Sequence, residues 1–177
     1  MIKLIDILKE ITEGKQVGTL YHFTSFNGLK GILKSNILKV GDDSNFETGG
    51  NPGMVSLTRN KNLWYFPFRI ELDGNKLSYN YKISPYQWSG GDHKSEMEEE
   101  IGRNITNVKS YITGISIWLN DEFILQGDIS PKEIKQSQKL YPNLKFLYQD
   151  KKEKNYIPDP NPTYISSEQA NTIIDSF

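Results

Sequence analysis

His22, Arg59 and a run of glutamates at Glu96 and Glu98–Glu100 are the residues of this chain whose types and spacing could do chemistry. Each imidazole nitrogen can donate or accept a hydrogen bond, which suits a ribose hydroxyl. The Arg59 guanidinium offers a planar fork matched to phosphate oxygens. Ser56 and Thr58, just before it, would add hydroxyl donors. A charge run such as SEMEEEIGR ordinarily lies on a solvated turn. Here it leads toward NITNVKSYITGISIW, whose Ile112, Ile115 and Ile117 read as a buried strand. A carboxylate at the mouth of such a strand is held rigidly enough to act. Alternation would put Glu98 and Glu100 on one face and Met97, Glu99 and Ile101 on the other. Taken singly, each residue also has a plain structural role: His22 at a strand-to-helix junction, Arg59 as a surface charge. His93 has no evident partners.

Composition narrows the chemistry. The chain has 177 residues, 36% hydrophobic and 24% charged, a mix that fits one folded domain. There is no cysteine, so disulfides, thiolate zinc sites and a cysteine nucleophile are excluded. Two histidines leave little scope for a histidine-rich metal site. A net charge of −1 gives no global basicity of the kind that marks nucleic-acid binding. No Walker or Rossmann glycine spacing is present in GGNPGM. No apolar run reaches the length of a membrane span, and a cytoplasmic protein is expected.

The elements that would position these residues are short. Residues 1–18 read as an amphipathic segment with Ile2, Ile5, Leu8 and Ile11 on one face, and residues 19–177 as a single domain. A strand over Thr19–Phe23 precedes a helix capped by Ser25, with Leu29, Ile32 and Leu33 at helical spacing. MVSLTRN is a strand that puts Val55 and Leu57 on one face and Ser56 and Thr58 on the other. YFPFRIELDG and KLSYNYKIS read as an antiparallel pair around a turn at Asp73–Asn75. GISIWL and EFILQG add a strand pair or one broken strand. Ser130, Pro131 and Glu133 form a capping box and open a helix. LKFLYQ returns as a strand, and a last helix follows Ser166. The class is α+β, rich in strands, with small peripheral helices.

In order, LYHFTSFNGLKGIL, MVSLTRN and EMEEEIGR…YITGISI resemble the ADP-ribosyltransferase superfamily, particularly DarT-like and short phage-encoded members. The likeness covers roughly residues 19–120, and the order of three short motifs carries it. It implies a split antiparallel β-sheet core and an enzyme that uses NAD as co-substrate without a metal. His22 would bond the NAD ribose, with the backbone at Phe23 and Thr24 holding the nicotinamide amide and Tyr21 beside them. Arg59, with Ser56 and Thr58, would engage phosphate. Glu98, then Glu99, would be the catalytic carboxylate; relatives often read Glu-x-Glu-Glu-Arg, and this chain has Glu100 at the arginine position. Breaking the nicotinamide–ribose bond builds positive charge on the sugar, which a fixed carboxylate stabilises.

The implied acceptor is DNA, RNA or a host protein, with Tyr86 and Trp88 on a flap facing it. The implied state is a monomer in the cytoplasm, that of the host cell if phage-encoded. LKE and ITE resemble prohead-protease cleavage sites, which would make the N-terminal segment removable and the enzyme packaged in the virion; the plainer reading, an amphipathic helix packed on the domain, is preferred. Other readings are a non-catalytic nucleotide-binding module, an NAD glycohydrolase and an RNA 2′-phosphotransferase on the same fold.

Overall fold

A computed structural model describes residues 17–41, 53–63, 66–85, 98–119, 124, 128–148 and 162–176. The expected N-terminal helix, the segment around Tyr86, Trp88 and His93, and all but Ile124 of EFILQ lie outside the described residues. Among the described residues ten strands run β1 Thr19–Thr24, β2 Ile37–Leu38, β3 Val55–Thr58, β4 Phe68–Asp73, β5 Ser84–Pro85, β6 Glu98–Ile101, β7 Ile105–Thr106, β8 Ile112–Leu119, β9 Lys145–Tyr148 and β10 Thr163–Ile165. The helices are α1 Phe26–Ser35, α2 Gly74–Ser78, α3 Pro131–Leu140 and α4 Ser167–Ile174, with a 3₁₀ turn at Val108–Ser110.

Eight strands form one sheet in the order β10-β9-β8-β4-β1-β3-β6-β5, and β2 pairs with β7 separately. All neighbours are antiparallel except β8 and β9, which α3 connects. The class is therefore α+β with a mostly antiparallel sheet. Registers fix its two faces. Leu20 pairs with Leu72, His22 with Ile70 and Thr24 with Phe68, while Ile115 and Ile117 continue those rows on β8. On that face α1 packs Phe26 against Phe68, ring centroids 6.4 Å apart. Phe68, Ile70, Leu72, Ile115 and Ile117 are fully buried there, each side chain contributing about 1.5–3 kcal/mol.

Helix starts follow the local sequence. Ser25 Oγ accepts from Gly28 N, and α1 ends on Asn36 in the left-handed region at φ 57°. Both Ser130 and Ser166 close reciprocal capping boxes, with Glu133 and Gln169.

The expected hairpin partner of β4 is not a strand. Asp73 Oδ1 accepts from Lys76 N at 2.9 Å and starts α2. Leu77 and Tyr81 are buried, whereas Tyr79, which strand alternation groups with them, is exposed. The reason is topological: β4 already pairs with β1 on one edge and β8 on the other. No edge of β4 remains for a hairpin partner, and Asp73 acts as a helix cap instead.

Candidate functional site: three adjacent strands

β1, β3 and β6 lie side by side in the sheet, although the motifs they carry are far apart in sequence. Between β3 and β6 the ladder is continuous, pairing Val55 with Ile101, Ser56 with Glu100, Leu57 with Glu99 and Thr58 with Glu98. Between β1 and β3 the assigned register is a single pair, Tyr21 with Thr58. Near that pair His22 Nδ1 lies 3.1 Å from Ser56 O, 34 residues downstream. A carbonyl only accepts, so Nδ1 carries the proton. In the neutral ring Nε2 is then a bare acceptor.

Although His22 keeps some accessible surface, protein atoms crowd the ring. Loss of hydration holds its pKa below the ordinary 6.5, and the Ser56 hydrogen bond offsets only part of that shift. The unfolded chain therefore takes up this proton first as pH falls. Stability contributed by neutral His22 is complete above 6.5 and is lost as pH drops through 6.5 toward the lower folded value. His22→Gln removes the titration, so its melting temperature should fall less than that of wild type between pH 7.5 and pH 5. Equal losses in thermal melts would show that His22 does not titrate this way.

Pairing divides the candidate residues between the two faces. Tyr21, Thr58 and Glu98 form one row, and Ser56 and Glu100 share their face. His22 and Thr24 point the other way, toward the helix-covered side, as do Leu57 and Glu99. The alternation expected for both β3 and β6 is found. The glutamate run is not a solvated turn: β6 is a strand, and Glu99 is only 6% exposed. A carboxylate this buried needs a cation. Arg59 Nε donates to Glu99 Oε1 at 2.6 Å, and Arg59 Nη1 donates to Val17 O at 2.6 Å. Glu98 is half-buried and accepts a hydrogen bond from Ser56 Oγ. Thus His22, Thr24, Arg59 and Glu99 gather on one side, and Tyr21, Phe23, Ser56, Thr58 and Glu98 on the other. Glu96 lies outside the described residues.

A second polar cluster went unread in the sequence. Arg69, 3% exposed, donates from Nη1 to Lys61 O at 2.6 Å and from Nη2 to Glu71 Oε1 at 3.0 Å. Ser116 Oγ and Tyr164 OH lie within 3.4 Å of the same nitrogen. Lys145 Nζ reaches Glu71 Oε2 at 3.5 Å. The Arg69 guanidinium also covers the Tyr21 ring, 5.2 Å from its centroid. Burial raises the Tyr21 pKa and Glu71 adds to the rise, with Arg69 opposing it. The phenol therefore stays protonated at neutral pH. The available signal was Arg69 and Glu71 alternating with Phe68, Ile70 and Leu72.

The described residues hold no group of three or more histidines and carboxylates placed to bind a metal, and no helix long and apolar enough to cross a membrane. The chain matches no protein-family model, no curated protein and no solved structure.

Proposed function

We propose that the chain is an NAD-dependent mono-ADP-ribosyltransferase that modifies a macromolecular acceptor. The observation that carries this reading is adjacency. Three motif strands, bonded through residues 34 apart (His22 to the Ser56 carbonyl) and 42 apart (Ser56 Oγ to Glu98), are consecutive in the sheet. The single ladder pair between β1 and β3 also fits the split sheet that the family resemblance implies.

The donor set suits the co-substrate. His22 Nε2 would accept a hydrogen bond from a ribose hydroxyl, held in that tautomer by Ser56 O. The Arg59 N–H groups outside its bonds to Glu99 and Val17, on a side chain 37% exposed, would face phosphate beside it. NAD supplies an activated C1′–nitrogen bond, and nicotinamide departs with the electron pair of that bond. Glu99 shares the His22 face and is fixed by Arg59, so it is the carboxylate to stabilise developing positive charge on the sugar. This reverses the order of preference that the motif alone gave to Glu98. A carboxylate there also takes the proton that the acceptor nucleophile releases. Glu98, bonded to Ser56 across the sheet, would serve the acceptor side or hold β3 to β6.

One observation favours a second reading, an NAD-binding module without turnover: Glu98 and Glu99 both already bond within the chain. NAD titration by calorimetry tests the shared part of the two readings. Wild type should bind, and His22→Ala should bind about five-fold or more weakly while keeping most of its melting temperature. Loss of the fold with no separate loss of affinity would return His22 to a structural role. Binding without nicotinamide release would select the second reading.

A further inference from the structure

We infer that Asn75 is a positioning residue for the Arg59–Glu99 pair, acting through a strap at Val17–Gly18. The inference rests on the transferase reading only where NAD affinity is concerned.

The strap is held at every polar atom it offers in this region. Asn75 Oδ1 accepts from Val17 N at 2.7 Å and from Gly18 N at 2.9 Å. Gly74 N donates to Gly18 O at 2.9 Å. Val17 O accepts from Arg59 Nη1 at 2.6 Å, and Arg59 Nε turns from there onto Glu99. Two glycines make the approach feasible. Gly18 sits at φ +78°, where an L side chain is strained. A Cβ on Gly74 would stand 2.5 Å from Gly18 O and 2.9 Å from a Val17 methyl.

The Asn75 role is specific. It is the second residue of α2, whose first-turn cap comes from Asp73, so its own side chain is not needed by the helix. One amide oxygen taking two successive backbone N–H groups fixes the plane of the Val17 peptide. The direction of Val17 O follows from that plane, and Arg59 is aimed by it. Glu99 is nearly buried, so a misdirected guanidinium leaves its charge poorly matched. An exposed asparagine thereby sets the geometry of a carboxylate three strands away in the sheet order β4-β1-β3-β6.

The experiment follows the Arg59 Nε–H resonance by nitrogen-15 NMR in the full chain, with NAD affinity measured in parallel. In wild type this proton should be protected from exchange by Glu99. Asn75→Ala should abolish the protection and weaken NAD binding about five-fold, roughly the effect of one lost hydrogen bond. Asn75→Asp keeps the oxygen acceptor and should restore the protection. An Asn75→Ala protein that folds with an unchanged Arg59 resonance overturns the inference. Should that variant not fold, exchange in wild type decides: Arg59 Nε–H must open with the same free energy as the Val17 and Gly18 amides, and separate openings overturn it. A wild-type protein that shows the Arg59 signal but binds no NAD defeats the transferase reading and leaves the positioning role standing.

Discussion

Glu99→Gln is expected to lower nicotinamide release by about 10²–10³-fold, the loss usual when a preorganised electrostatic contact is removed. NAD affinity should change far less, because the charge that the carboxylate meets develops only in the transition state. Glu99 lies on the His22 side of the sheet, is 6% exposed, and is fixed by Arg59 at 2.6 Å. Glu98 points to the opposite side, where Ser56 holds it. Glu98→Gln should therefore cost less than Glu99→Gln in a direct comparison of rates. Glutamine preserves shape and a hydrogen-bond acceptor, so folding of both variants should survive, as circular dichroism would check. The reverse ranking would move the sugar-facing role to Glu98.

Arg69→Ala is the substitution expected to destabilise the fold most among the described charged residues. It would leave Glu71 with the Ser116 hydroxyl and with Lys145, at 3.5 Å, as its cationic partner in the cluster. Breaking a buried ion pair from one side costs about 3–5 kcal/mol. For a chain of this size that lowers the melting temperature by about 10 °C. The double replacement Arg69→Met with Glu71→Leu should recover much of the loss, because it removes both charges rather than stranding one. Urea denaturation of Arg69→Met, Glu71→Leu and the double variant gives the coupling. A single-variant cost below about 1 kcal/mol would mean that the cluster behaves as an exposed pair.

The same physics explains which parts of this molecule were readable beforehand. Caps are local: Ser25, Ser130 and Ser166 each bond an amide within three residues, so their sequence neighbourhoods carried the information. Alternation is also local, and it set Val55 and Leu57 against Ser56 and Thr58, and Glu99 against Glu98 and Glu100. Strand order is not local. Nothing around LDGNKLSY says that both edges of β4 are occupied, so Asp73-Gly74 read as a hairpin turn when it starts α2. Glu99 looked solvated because its partner, Arg59, is 40 residues away. Arg69 showed its charge but not its burial, since Tyr164, 95 residues on, lies at its guanidinium. The candidate site was legible as three motifs in order. Its division between two faces was not, because that depends on the Tyr21–Thr58 register.

Incubation of the protein with NAD and separate DNA, RNA and protein acceptors, followed by mass spectrometry, tests the transferase assignment most directly. Nicotinamide and an ADP-ribosyl adduct should appear together in equal amounts, on one acceptor class, and both should be lost in Glu99→Gln. Wild-type protein that yields neither product with any acceptor would contradict it, whereas both products at an unchanged rate in Glu99→Gln would contradict only the role given to Glu99.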